Sequence, residues 1–261
     1  MTLRALPALT DNYIWTLSAE DGRAIVVDPS QAGPVLAAVD AGLQPVAILL
    51  THHHPDHIDG AAPLLERFDI PCYAPVDPRI ACATHRVGEG DVFAVPELNL
   101  QFTALEVHGH TRSHVAFHAP ATGGESGIVF CGDTLFSLGC GRLFEGTPTQ
   151  MLASLDKLAS LPADTRVCCG HEYTLSNAAF AAVVDPHNVP LHARIAQAQA
   201  LRERGQPTLP ATISGELACN PFLRVDTPAV RAAVERHVGK LVPERVDIFA
   251  ALRQWKDGFQ P

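Results

Sequence analysis

This 261-residue chain is as informative for what it lacks as for what it holds. Its cysteines, Cys72, Cys82, Cys131, Cys140, Cys168, Cys169 and Cys219, are odd in number, with no Cys-x-x-Cys pair and no framework spacing. That excludes a small disulfide-stapled scaffold and points to a reducing compartment. No apolar run is long enough to span a bilayer. Pro7 and the polar Thr10-Asp11-Asn12 leave no continuous apolar segment at the start, so no secretory signal is expected and the expected location is the cytoplasm. Basic charge is scarce: 19 Lys and Arg against 28 Asp and Glu, a formal net charge of −9. A general attraction to nucleic acid or anionic lipid is thereby excluded, and any anionic ligand must be caught locally. There is no Gly-x-Ser-x-Gly elbow, no internal repeat and no low-complexity tract.

What is present is a chain with 47% hydrophobic residues, enough to bury a core without staples, and thirteen histidines. Short apolar, β-branched runs at residues 24–28, 46–50, 98–107, 114–118, 127–131 and 166–169 read as buried strands. Helical periodicity at 35–43, 61–68 and 149–161 alternates with them, the last after the start signal Thr147-Pro148. After Tyr173 the texture becomes Ala-rich, with helical spacing at 177–184, 191–204, 228–238 and 244–255, and 205–210 reads as a loop. We therefore expect an α/β domain over residues 1–173, followed by a smaller all-α domain over 174–261.

The strongest local signal is Thr51-His52-His53-His54-Pro55-Asp56-His57, directly after the strand-like run at 46–50. A metal centre needs imidazoles and carboxylates converging from rigid supports, and a strand end feeding a loop supplies them. In extended backbone His52 and His54 point one way and His53 the other, with Asp56 and His57 following in a turn. His110, Asp133 and His171 each follow a strand-like run and a glycine, and His114 trails His110 by four residues. A lone histidine is more often a cap or a surface residue; the set as a whole reverses that weighting. His53, His85, His118, His187, His192 and His237 lack such context and are read as structural or surface residues.

The motif HxHxDH, followed in order by His, Asp and His, resembles the metallo-β-lactamase superfamily. Leu9-Thr-Asp-Asn-Tyr13, Gly132-Asp-Thr-Leu-Phe136 running into Gly139-Cys-Gly-Arg-Leu-Phe-Glu-Gly146, Cys169-Gly-His-Glu-Tyr173 and Asn220-Pro-Phe-Leu-Arg224 resemble the glyoxalase II (hydroxyacylglutathione hydrolase) family within it. The resemblance spans nearly the whole chain. It implies an αββα sandwich with a helical C-terminal appendage that binds glutathione. It also implies two divalent ions, with zinc the leading expectation and iron and manganese open alternatives. His52, His54, His110 and Asp133 would hold the first ion, and Asp56, His57, Asp133 and His171 the second. Asp56 and Asp133 would thus support a metal-held hydroxide as nucleophile, with His114 just outside the ligand set. Arg142, Phe144, Tyr173, Arg253 and Lys256 fall on the family's substrate-binding positions, and Arg253 and Lys256 lie one turn apart on a helix. The implied activity is hydrolysis of S-(2-hydroxyacyl)glutathione thioesters by a monomer with no macromolecular partner. The alternative is another dimetal hydrolase of the same superfold: a lactonase, a β-lactamase-like enzyme or a phosphodiesterase. Two departures stand out. Val107-His108-Gly109-His110 replaces the usual Thr-Pro-Gly-His, which adds a competing histidine, and Arg142 and Phe144 stand where some members have Lys and Tyr. Cys140, close to the presumed site in sequence, is read as packing rather than catalyst.

Overall fold

The computed structural model describes residues 1–260; Pro261, the last residue of the expected helical domain, lies outside the described residues. By contact density the chain divides into two compact units. The first comprises Met1–Glu106, Ser113–Gly132 and Val167–His171; the second comprises Val107–Arg112, Asp133–Arg166 and the residues from Glu172 onward.

The first unit is built on two sheets. One carries β1 (Thr2–Ala8), β2 (Asn12–Ser18), β3 (Arg23–Val27), β4 (Gln44–Leu49), β5 (Cys72–Pro75) and β6 (His85–Val87) in sequence order. The pairs from β1 to β3 are antiparallel and those from β3 to β6 parallel. Parallel strands covered on both faces must be apolar throughout, and Ala24 to Val27 and Ala47 to Leu49 are all buried. Helices α1 (Ala32–Asp40) and α3 (Ala61–Arg67) supply Val35 and Leu64 to a core shared with Val26 and Ile48. Between β4 and α3 lies a four-residue helix, α2 (Pro55–Ile58), started by a proline whose fixed φ suits the first helical position.

The second sheet runs through the strand Arg166–Cys169, then β10 (Ile128–Gly132), β9 (Val115–Ala119), β8 (Leu100–Glu106) and β7 (Val92–Val95). The two sheets meet inside this unit: Tyr73 stacks on Phe93 at 4.0 Å, and the Trp15 indole donates to the Cys169 carbonyl at 2.9 Å. These contacts bring the strand ends that precede His52 and His171 into one layer pair.

The second unit is mostly helical. Its helices are α4 (Pro148–Ala159), α5 (Thr174–Val184), α6 (Val189–Glu203), α7 (Ile213–Cys219), α8 (Pro228–Val238) and α9 (Arg245–Asp257). Thr147 and Gln150 form a capping box at the start of α4, which satisfies two otherwise orphaned amide donors. Arg245 at the start of α9 forks onto Asp156 of α4 with two bonds of 2.6 Å. A tight hairpin, Leu135–Phe136 with Gly139–Cys140, follows Asp133. It is held by buried Glu216 and Asn220 of the α7 segment: Glu216 accepts from Ser137 Oγ and the Leu138 amide at 2.9 and 2.8 Å, and Asn220 Nδ2 donates to the Phe136 and Gly139 carbonyls.

The helical expectations at 228–238 and 149–161 fall on α8 and α4 within two residues. The β1–β2 hairpin and α7 were not expected. Pro7 interrupts the first strand's signal, and Gly215 interrupts a helix of only seven residues.

Candidate metal centre

Each of the histidines singled out by the motif is buried or partly buried and held by a hydrogen bond at one ring nitrogen. In the first unit, the Asp28 carboxylate accepts from the Thr51 amide and hydroxyl at 2.8 and 2.7 Å, and its Oδ2 lies 3.0 Å from His57 Nδ1. The same arrangement recurs at His171, whose Nδ1 is 2.8 Å from Asp11 Oδ1. A carboxylate at Nδ1 fixes the tautomer with its proton there, which leaves the lone pair on Nε2. Both Nε2 atoms face Asp56 Oδ2, at 3.7 Å for His57 and 3.4 Å for His171. Asn12 holds Asp56 from the other side, with its Nδ2 2.9 Å from the Asp56 carbonyl and 3.2 Å from Oδ2.

Those separations are too long for good hydrogen bonds and right for something else. Four donors placed about 2.1 Å from one ion at tetrahedral angles lie about 3.4 Å from each other. Asp56, His57 and His171 present their ligand atoms within 4.8 Å of one another, so the donor set fits a divalent cation. His52 Nε2 and His54 Nδ1 lie 3.1 Å apart, and His52 Nδ1 is 3.0 Å from the Thr51 hydroxyl. His114 stacks on the His52 ring at 4.6 Å, with its Nδ1 near the Val115 carbonyl at 3.1 Å. Gly132 sits against this pair at φ +47°, where an added Cβ would lie 2.4 Å from the Thr51 hydroxyl and 2.8 Å from the His114 ring. Only glycine fits there. His53, read as structural, faces the other way, 3.5 Å from buried Asp77.

In the second unit, His110 Nδ1 is 2.9 Å from the Arg142 carbonyl, and its Nε2 lies 3.5 Å from Asp133 Oδ2. The same tautomer logic puts the lone pair of His110 on Nε2. At neighbouring His108 the backbone carbonyl accepts from Ser154 Oγ at 2.7 Å.

His110 and Asp133 line a cleft of about 470 Å³ together with Phe136, Phe144, Tyr173, Arg142, Arg253 and Lys256. All of these belong to the second unit. Arg253 is only 5% exposed: Nη1 donates to the Cys140 carbonyl at 2.7 Å, Nη2 to Asp257 Oδ1 at 3.0 Å, and the guanidinium lies over the Phe222 ring. Lys256 Nζ is 3.3 Å from the Ser176 carbonyl and lies over the Phe180 and Phe259 rings. Burial and the nearby Arg253 and Arg142 charges hold its ammonium below the ordinary lysine range. Tyr173 meets Phe136 edge-on at 5.1 Å, and exposed Phe144 stands 5.2 Å from the His110 ring. Cys140 is buried and its thiol pushed up to about 11, chiefly by desolvation, so it stays protonated at neutral pH, as a packing residue does.

Residues 13–171 match the model of the metallo-beta-lactamase superfamily, and residues 172–259 match the model described as hydroxyacylglutathione hydrolase C-terminus. A hydroxyacylglutathione hydrolase of Xylella fastidiosa is 56% identical over 260 residues, covering 99% of this chain and 98% of the relative. The chain belongs to the hydroxyacylglutathione hydrolase family. Among solved structures, ETHE1 from Myxococcus xanthus superposes with a TM-score of 0.64 at 23% identity, covering 97% of this chain and 98% of that one, which shows the fold. TTHA1623, solved in a di-iron-bound form, aligns with 31% identity and a TM-score of 0.53 over 66% of this chain and 92% of its own. The chain therefore has the metallo-β-lactamase fold followed by the helical C-terminal region of the hydroxyacylglutathione hydrolase family, and its His/Asp donor clusters are of the dimetal kind.

Three residues that support the family's ligand motif were not identified as such from sequence: Asp11, Asn12 and Asp28. Asp11 and Asn12 lie in the Thr-Asp-Asn-Tyr stretch and Asp28 closes the run at 24–28, so each was in view but without a role. Among the described residues no helix is long and apolar enough to cross a membrane.

Proposed function

We propose that this chain hydrolyses S-(2-hydroxyacyl)glutathione thioesters, with S-D-lactoylglutathione giving D-lactate and glutathione. The observation that carries this reading is the cleft of the second unit, where His110 and Asp133 share a lining with three cationic side chains. A protein with net charge −9 has no general pull on an anion, so a local cluster of Arg142, Arg253 and Lys256 marks the place where carboxylates are held.

The ligand assignment follows the order of motifs along the chain: His52, His54 and His110 for one ion, Asp56, His57 and His171 for the other, and Asp133 shared. When bound, such a pair supplies Lewis acidity, lowering the pKa of water from about 15.7 toward 7 and polarising a carbonyl. The mixed His and Asp donors suit zinc, and also iron, the metal named for one structural relative. Asp28 and Asp11 hold the His57 and His171 rings in the coordinating tautomer, the Arg142 carbonyl does the same for His110, and His114 braces His52 by stacking. Arg253 and Lys256 hold glutathione carboxylates, and exposed Phe144 beside His110 borders the acyl group. The leaving thiolate needs no protein acid, since a free thiol has a pKa of about 8.5. Seven cysteines with no framework spacing suit a reducing compartment, and we place the chain in the cytoplasm, as a monomer with its domain boundary near residue 173.

Turnover of S-D-lactoylglutathione, measured beside a lactone, a β-lactam and a phosphodiester, tests this reading. The thioester is expected to lead in kcat/KM by orders of magnitude; a lead for any of the other three would overturn it.

A further inference from the structure

The cation cluster of the cleft contains a carboxylate that anion binding does not call for. Asp257 lines the same cleft as Arg142, Arg253 and Lys256, one residue beyond Lys256 in α9. Its Oδ1 accepts from Arg253 Nη2 at 3.0 Å and lies 3.7 Å from Arg142 Nε. Both contacts engage the same oxygen, and the side chain is 44% exposed, so the carboxylate also faces solvent in the cleft. In a site that only holds anions, an internal carboxylate competes for the guanidinium groups and repels the ligand.

The chemistry of the ligand resolves this. Resting on the glutathione reading above, we propose that Asp257 is a specificity-determining residue that receives the α-ammonium of the γ-glutamyl group. A glutathione thioester brings two carboxylates and one ammonium. The cleft offers the complement: three cations, and Asp257 as the carboxylate beside them. In the γ-glutamyl head the ammonium and a carboxylate sit on one carbon. The head therefore needs a carboxylate and a cation within a few ångströms of each other, which Asp257 and Arg253 supply. The simpler role for Asp257 is to relieve repulsion among the three cations, and the two roles predict different outcomes.

The test is the affinity of the metal-loaded protein and of its Asp257→Asn variant for S-methylglutathione and for its desamino counterpart, in which a glutaryl group replaces γ-glutamyl. Calorimetry reads binding without turnover, so the outcome stands whether or not the thioester proves to be the substrate; hydrolysis of S-D-lactoylglutathione by the unmodified protein tests that separately. An ion pair at a half-exposed site is worth about three- to fivefold in affinity. The unmodified protein should prefer the amino compound by that factor, and Asp257→Asn should bind the two equally, with unchanged metal content and thermal midpoint. If Asp257→Asn keeps the preference, or binds both compounds tighter by the same factor, Asp257 is only a counter-ion and the proposal fails.

Discussion

Replacing Asp28 by asparagine tests the tautomer argument in its purest form. Asp28 sits at φ +49°, a left-handed conformation that asparagine tolerates better than other non-glycine residues, so the backbone has little reason to move. Its Oδ1 receives the Thr51 amide, which pins the orientation of any replacement amide: the oxygen must take that position and the NH2 must take the place of Oδ2. There the NH2 can donate to the Thr51 hydroxyl, but it faces His57 Nδ1 at about the 3.0 Å now spanned by an N–H to carboxylate bond. The imidazole answers by moving its proton to Nε2, the atom that must coordinate. Loss of such a supporting partner typically costs 10- to 100-fold in metal affinity, or about 1.4–2.7 kcal/mol. The metal-free fold should change much less, because every buried donor keeps an acceptor. Asp28→Ala is the contrast: it strands the Thr51 amide and the His57 N–H, at about 1–3 kcal/mol each, and mixes folding with binding. Chelator competition gives the metal dissociation constants, and thermal unfolding of the metal-free proteins gives the stability term. Asp28→Asn binding metal as tightly as the unmodified protein would refute the reasoning.

Three further outcomes follow from the second unit. Lys256 is charged below its depressed pKa and loses that charge as pH rises through it, so binding of the glutathione thioester should weaken toward alkaline pH. KM should rise as pH climbs through that value, which lies below the ordinary lysine range, with Lys256→Arg flattening the rise; a pH-independent KM would count against the carboxylate role. Burial raises Glu216 above the ordinary glutamate value of 4.5, so in the window just above it the folded chain holds a proton that the unfolded chain has released. Stability of the metal-free protein should therefore fall as pH rises through that window, and Glu216→Gln should flatten the slope while Glu216→Ala strands the buried Leu138 amide at about 1–3 kcal/mol; a slope unchanged in Glu216→Gln would contradict this. His108→Ala should retain the full metal content, because His108 belongs to none of the His/Asp donor clusters among the described residues; elemental analysis showing one ion lost would instead give His108 a ligand role.

The candidate site was legible in the sequence to unequal depth. HxHxDH could be read because its residues are contiguous and their types are chemically committed. His52 and His54 approach within 3.1 Å, with His53 turned toward Asp77, as alternation in an extended segment requires. The supports were not legible, because they arrive from far along the chain. Asp11 reaches His171 across 160 residues, and Asp28 reaches His57 across 29. No local pattern marks an aspartate as the partner of a distant imidazole. His110 depends on the carbonyl of Arg142, a backbone group that any residue could provide. The buried strands β3 and β4 announced themselves by continuous apolar composition, whereas β5 and β6, of four and three residues, are too short for alternation to stand out from chance. Arg253 was visible as a helix-face cation, but its near-complete burial against the Cys140 carbonyl and the Phe222 ring depends on tertiary packing alone.

The central claim, a dimetal thioester hydrolase, is tested most directly by following S-D-lactoylglutathione hydrolysis while metal is withdrawn from the purified protein and returned, with the bound metal counted at each step. The account predicts turnover that scales with metal content up to about two ions per chain and returns on reloading. Full turnover by protein stripped of metal, or none by protein carrying both ions, would contradict it.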